Sequence, residues 1–191
     1  IKSDAVEKCG LLASLGINLN LAPDADVSDD SRDFIYYRSA GDTDAAVKYV
    51  ETFVKTCEGT GVGSVLKHFP GYGGNTDTHT GIAIDKRDYS VFENADFLPF
   101  KAGIGAGAEA VMVAHNIICC MDDKNPASLS PEVHRILRGE LGFGGVIITD
   151  DLQMDAISDS YGGGESAVLA FEAGNDIICS SDLKEKYEAL L

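Results

Sequence analysis

Apolar positions fall into two rhythms along this chain, and the rhythms alternate. Val6, Leu11, Leu12 and Leu15 fall at helical spacing over residues 4–15. Ala46, Val47, Val50, Phe53 and Val54 form a broader stripe over 43–58. Phe97, Phe100 and Ile104 mark a helix over 92–104, and Pro131 opens another over 131–141 in the first-turn position that proline favours. Residues 166–173 and 183–191 also read as helical. Between these lie short runs of a different kind. Residues 17–21 alternate apolar and polar, whereas 61–69, 110–115, 145–149 and 176–179 are nearly all apolar, most of them close to glycine. Strands covered on both faces have this composition.

Strand, loop and helix thus recur about five times, the pattern of βα units around a parallel sheet. The strands also end alike: Lys67-His68, His115-Asn116, Asp150-Asp151 and Ser180-Ser181-Asp182 each follow an apolar run. An open five-stranded sheet would gather its chemistry at one switch point, and no glycine-rich phosphate fingerprint follows the first strand. Polar residues at every strand end suit a barrel mouth instead. The predicted fold class is α/β, a TIM (β/α)8 barrel present only in part, with about five βα units and the N-terminal strands missing. Residues 1–191 are expected to form one catalytic-type domain, completed by further chain segments or domains.

Composition narrows the partners. The chain of 191 residues carries 15 Lys and Arg against 31 Asp and Glu, a formal charge of −16. That balance argues against nucleic acid and against an anionic membrane surface. No apolar run approaches the ~18 residues of a membrane span, so membrane insertion is not expected. No signal peptide is visible, and localisation stays undetermined. Cys9, Cys57, Cys119, Cys120 and Cys179 are scattered, odd in number and without a CxxC pair. They read as free buried thiols, which favours a reducing setting.

The candidate chemistry lies at the strand ends. Asp150, after Val-Ile-Ile-Thr, has the position of a nucleophile, base or metal ligand, or else of a helix cap. Neighbouring side chains on an extended chain point apart, so Asp150 and Asp151 cannot both enter one pocket. Asp77 and His79 stand two apart in a Gly-rich loop, where the carboxylate can hold the imidazole for acid and base work; an Asx-type turn is the plainer reading. Lys67 and His68 suit sugar hydroxyls, unless Lys67 simply pairs with an aspartate such as Asp26. Arg38, between tyrosines and a serine, is a substrate contact or a surface arginine, and His115 a ligand contact or a capped core histidine. His68, His79, His115 and Asp150 lack the His-x-His or HExxH spacing that puts two ligands on one element, so neither a metal nor a cofactor is expected.

The segments Lys67-His68-Phe69-Pro70-Gly71-Tyr72-Gly73, with Asp77-Thr78-His79 following, and Ile148-Thr149-Asp150-Asp151-Leu152-Gln153-Met154 resemble the signatures of the β-N-acetylhexosaminidase branch of glycoside hydrolase family 3. Asn20-Leu21-Ala22-Pro23 and Tyr37-Arg38-Ser39 resemble two further landmarks of that family, in the same order. The resemblance implies a retaining hydrolase on a (β/α)8 barrel, acting on a small carbohydrate substrate with terminal β-linked N-acetylglucosamine. It implies Asp150 as nucleophile, His79 oriented by Asp77 as acid and base, and Lys67, His68, Arg38 and less firmly His115 as sugar contacts. A β-glucosidase or glycoside phosphorylase of the same family, or a silent sugar-binding module, are the alternatives. Here the acid/base loop is one residue shorter than is usual in that family, and Tyr72 stands where histidine is frequent.

Overall fold

The architecture is that of a computed structural model, described for residues 1–74 and 81–191. Helix α1 (Lys2–Ser14) precedes strand β1 (Leu19–Asn20), and α2 (Thr43–Glu58) precedes β2 (Gly63–Phe69). Next come β3 (Ile84–Asp85), the short α3 (Tyr89–Val91), a π-helical turn at Phe92–Asp96 and α4 (Phe97–Gly105). β4 (Ala110–Val113), β5 (Ile117–Ile118) and α5 (Pro131–Arg135) follow, the last continuing as a second π-turn at Ile136–Glu140. β6 (Val146–Thr149), α6 (Asp155–Ser158), α7 (Gly163–Ala173) and α8 (Lys184–Ala189) complete the chain.

β1, β2, β4 and β6 form one parallel sheet in that order, and β3 pairs with β5 in a smaller one. Leu19 lies opposite Gly63, Val65 opposite Ala110 and Val111 opposite Ile147, all parallel. Because neighbours in the main sheet run the same way, their carboxyl ends share one rim. The α/β fold with a parallel sheet therefore follows the predicted rhythm. The expected strand at 176–179 does not form: it contributes one bridge, Ile177 to Ile148. There the Asp176 carboxylate accepts from Ile147 N–H at 2.7 Å, so a side chain takes the place of a ladder partner.

The helices begin where side chains satisfy their free N–H groups. Asp42 accepts from Ala45 N–H at 2.9 Å and opens α2, and Ser130 accepts from Val133 N–H ahead of Pro131 and opens α5. The stripe predicted on α2 is buried at Ala46, Val50, Phe53 and Val54. α4 packs close enough that a Cβ on Gly103 would lie 2.6 Å from Leu66 and 2.8 Å from Val50. Beneath the rim, Phe69 stacks on Phe97 at 5.6 Å and meets Phe100 edge-on at 5.3 Å, which fixes the strand carrying Lys67 and His68.

The expectation of free buried thiols needs correction. α1 lies against α2 and brings Cys9 and Cys57 to a Cα separation of 5.7 Å, where they form a disulfide. Both sulfurs sit in a small apolar cluster with Ala5, Phe53 and Val62. Cys119, Cys120 and Cys179 are free, but half-buried or exposed rather than buried. Free thiols therefore no longer argue for a reducing setting. Among the described residues no helix is long and apolar enough to cross a membrane.

Candidate active site

The rim is assembled from strand ends. Beyond β1 the chain keeps pairing with β2: Val65 N–H donates to Ala22 O, Lys67 N–H to Pro23 O, and Ala25 N–H to Lys67 O. This extension sets Asp24 and Asp26 beside Lys67 and His68. At the other end of the sheet, Asp150 N–H donates to Val113 O at 3.0 Å, which holds Asp150 at the tip of β6 next to β4.

His68 is the centre of the arrangement. Its Nδ1 lies 2.8 Å from Asp26 Oδ2, and its Nε2 lies 3.2 Å from Arg38 Nη2. A guanidinium only donates, so Nε2 is the bare, accepting nitrogen and Nδ1–H donates to Asp26. Burial lowers the His68 pKa to about 4, so the ring is neutral around pH 7. Asp26 is fully enclosed and also accepts from the backbone N–H groups of His68 at 3.2 Å and Tyr72 at 2.9 Å. Burial pushes its pKa up to about 7, against the pull of these hydrogen bonds. Asp26 is thus committed to His68 and Tyr72, not to Lys67.

Asp150 Oδ2 stands 3.9 Å from His68 Nε2, with the carboxylate one-fifth exposed. Asp151 faces elsewhere: its Oδ1 accepts from Gln153 N–H at 2.9 Å and Ser181 N–H at 3.1 Å. Partial burial would raise the Asp151 pKa, but these donors outweigh it and hold the carboxyl below its ordinary value. The expected division between adjacent aspartates is present, one turned to the rim and one tying the following turn.

Lys67 is half-buried, and its pKa is lowered by that burial and by Arg38, with Asp24, Asp150 and Asp26 pulling the other way. Arg38 reaches the rim from a loop whose Ser39 hydroxyl donates to Asp26 O at 2.8 Å. Its guanidinium, 42% exposed, lies 3.1 Å from Asp24 Oδ2. The structure therefore brings Arg38, Lys67, His68 and Asp150 together. His115 is placed differently. It is fully buried, its Nε2–H donates to Asp151 O at 3.0 Å, and its Nδ1 accepts from the Ser128 hydroxyl at 2.7 Å. With both ring nitrogens taken, it supports the Asp150–Asp151 turn from beneath, the geometry of the capped core histidine that was the alternative to a ligand contact.

Asp77 and His79 lie outside the described residues. The chain on either side of them is well anchored. Gly71, at φ 129°, packs against Asp96 with no room for a Cβ, and Asn116 Nδ2 donates to its carbonyl at 3.2 Å. Beyond the segment, Arg87 binds Asp85 at 2.9 Å and Asp96 at 3.1 Å, with its guanidinium 4.5 Å from the Phe92 ring.

One residue of the rim was missed in the sequence reading. Asp24 has a nearly enclosed side chain whose Oδ2 makes no hydrogen bond and faces Arg38. The available signal was the Asp-Ala-Asp spacing at 24–26, which on an extended chain puts both carboxylates on one face. Asp24, Asp26 and His68 bring atoms within 4.8 Å of one another, a spacing that could hold a cation. In this structure the guanidinium of Arg38 supplies the positive charge at that corner.

A parallel α/β sheet whose rim gathers carboxylates, a neutral histidine and two cations defines an enzyme-like site for a polar, hydroxyl-rich ligand. The chain belongs to glycosyl hydrolase family 3: the N-terminal domain of that family matches residues 5–191. It is 38% identical over 176 residues to a beta-hexosaminidase of Stenotrophomonas maltophilia, covering 90% of this chain and 52% of the relative. It is also 37% identical over 165 residues to a beta-hexosaminidase of Xanthomonas campestris, covering 85% of this chain and 50% of that one. The chain thus spans about half the length of the curated relatives it matches. Among solved structures, a family 3 beta-N-acetylglucosaminidase from Paenibacillus superposes with a TM-score of 0.91 at 36% identity, over 100% of this chain and 38% of that one. A beta-N-acetylhexosaminidase from Beutenbergia cavernae gives 0.87 at 33%, over 99% of this chain and 58% of that one.

Proposed function

We propose that this chain is part of the catalytic barrel domain of a retaining β-N-acetylhexosaminidase, and that further barrel strands complete the sheet. The observation that carries the reading is the pair Asp150 and His68. The free carboxylate oxygen stands 3.9 Å from a neutral imidazole at the tip of β6, while Asp151 is tied elsewhere. A carboxylate so placed can attack an anomeric carbon, forming the new C–O bond as the bond to the leaving oxygen breaks. The leaving oxygen takes its proton from His79, which Asp77 orients. Water then displaces Asp150, giving its proton to His79 and restoring both groups. Lys67, Arg38 and the His68 edge hold the sugar hydroxyls and position the ring for attack. The names of the relatives favour an N-acetylated sugar over plain glucose.

The test is release of the aryl group from an aryl N-acetyl-β-glucosaminide by the full-length protein. Asp150→Asn is expected to lower kcat at least roughly 10³-fold, the scale of losing a group that acts in the chemical step. Turnover within tenfold of wild type in that variant removes Asp150 from the nucleophile's place.

A further inference from the structure

Asp24 has no role in the site as the sequence presents it, yet the structure gives it a particular one. Its Oδ1 accepts from Asp26 N–H at 3.2 Å, which fixes the carboxylate on the rim. Its Oδ2 is enclosed without a hydrogen bond and lies 3.1 Å from Arg38 Nη2. The same Nη2 lies 3.2 Å from His68 Nε2. One nitrogen of the guanidinium is therefore gripped between a carboxylate and an imidazole. The backbone of Asp24 is also bridged to that of Lys67.

Among the described residues, the rest of the rim does not supply this grip. Asp26 is used by His68 and Tyr72, and Asp151 by the following turn. A neutral imidazole offers Arg38 one lone pair but no charge. Arg38 and Lys67 repel each other across the rim, and each is pulled back toward a carboxylate. An arginine 42% exposed at the end of a loop has a large rotamer entropy to lose, and the Asp24 contact offsets that loss before the substrate arrives. Burial pushes the Asp24 pKa up to about 8 while His68 and Arg38 pull it down, so the grip is strongest above that pH.

We infer that Asp24 is a positioning residue that holds the Arg38 guanidinium against His68 in the orientation that receives the sugar hydroxyls. This rests on the hexosaminidase reading for its substrate but not for its geometry. Asp24 does not touch the reacting atoms, so its loss weakens substrate capture more than turnover.

The experiment uses the full-length protein and two variants. Asp24→Asn keeps the shape and the acceptor for Asp26 N–H but removes the charge, while Asp24→Glu keeps the charge. With an aryl N-acetyl-β-glucosaminide, Asp24→Asn is expected to raise KM roughly tenfold, the equivalent of one charged contact, with a smaller change in kcat. Asp24→Glu should recover at least half of that loss on a logarithmic scale. A crystal structure of Asp24→Asn should show Arg38 Nη2 displaced beyond 4 Å from His68 Nε2. KM within twofold of wild type, or a loss that falls on kcat alone, overturns the proposal. If the wild-type protein releases no aryl group, the hexosaminidase reading fails, and the Arg38 position in the variant decides the inference by itself: an unmoved guanidinium overturns it.

Discussion

The tautomer of His68 can be inverted by changing one atom of its partner. Asp26 accepts three hydrogen bonds, from His68 Nδ1–H at 2.8 Å, His68 N–H at 3.2 Å and Tyr72 N–H at 2.9 Å. Asparagine at this position has one accepting oxygen. If that oxygen stays with Tyr72 N–H, the amide nitrogen faces two donors, and the ring relieves the clash by moving its proton from Nδ1 to Nε2. Nε2–H then points at the Arg38 guanidinium, donor against donor, and toward Asp150 Oδ2, 3.9 Å away. Losing two bonds to a charged acceptor costs roughly 3–6 kcal/mol. The Asp26 pKa of about 7 against 3.8 is the net shift after those bonds have pulled it down, so burying the carboxylate costs more than about 4 kcal/mol, and the amide removes that cost. Stability should therefore fall by no more than about 2 kcal/mol while the site is rewired. Loss of the Arg38 contact and capping of Asp150 by a donor are together worth about 3 kcal/mol in the transition state, a fall in kcat/KM on the order of 10². The assay pairs ¹⁵N NMR of the imidazole with kinetics and urea unfolding of Asp26→Asn. A ring that keeps its proton on Nδ1, or kcat/KM within fivefold of wild type, refutes the reasoning. A wild-type ring protonated on Nε2 refutes it before any variant is made.

Two further perturbations test the frame around the site. The Cys9–Cys57 bridge closes a loop with a sequence separation of 48 that includes Asp24, Asp26 and Arg38. Chain-entropy reasoning makes its reduction worth about 4 kcal/mol in urea unfolding, with a larger m-value because the reduced chain unfolds further. A change under about 1 kcal/mol contradicts this. Arg87→Met leaves Asp85 and Asp96 without their guanidinium, a loss of about 3–5 kcal/mol above pH 6. The sign with pH follows from Asp96, whose burial raises its pKa from 3.8 to about 6, so the folded form binds more protons than the unfolded one. That group's contribution to stability is present below pH 3.8 and lost as pH rises through about 6, by roughly 3 kcal/mol, and denaturation of wild type and variant at pH 4 and pH 8 checks it. A variant deficit that does not shrink at pH 4 counts against the account.

Much of the fold was legible because local pattern and tertiary burial agree. The stripe over 43–58 matches α2 to the residue at both ends, since Asp42 caps it and its apolar face has a sheet to cover. Strand-end chemistry was legible for the same reason at Asp150, where the apolar run of β6 has run out of core; at Lys67 a half-buried residue interrupts a strand that goes on to Phe69 in the core. The sequence was less informative where a long-range partner decides. The cysteine pairing depends on how α1 lies on α2, with a sequence separation of 48, and no spacing rule encodes it. The expected strand at 176–179 has the right composition, but the Asp176 side chain takes up the Ile147 N–H and reduces the pairing to one bridge. His115 had the right position at a strand end, yet Ser128 and the Asp151 carbonyl draw its ring inward.

Asp24 and Asp26 show the limit most sharply. A spacing of two on an extended stretch predicts that both carboxylates face the same way, and both do face the rim. The spacing does not say that backbone donors from His68 and Tyr72 will satisfy one of them and leave the other with a buried oxygen that no hydrogen bond reaches. That difference comes from the turn after β2, whose Tyr72 N–H reaches Asp26. It makes Asp26 a fixed support for a neutral ring, while Asp24 meets the Arg38 guanidinium. The two acids are alike in sequence, and the backbone that passes over them separates their chemistry.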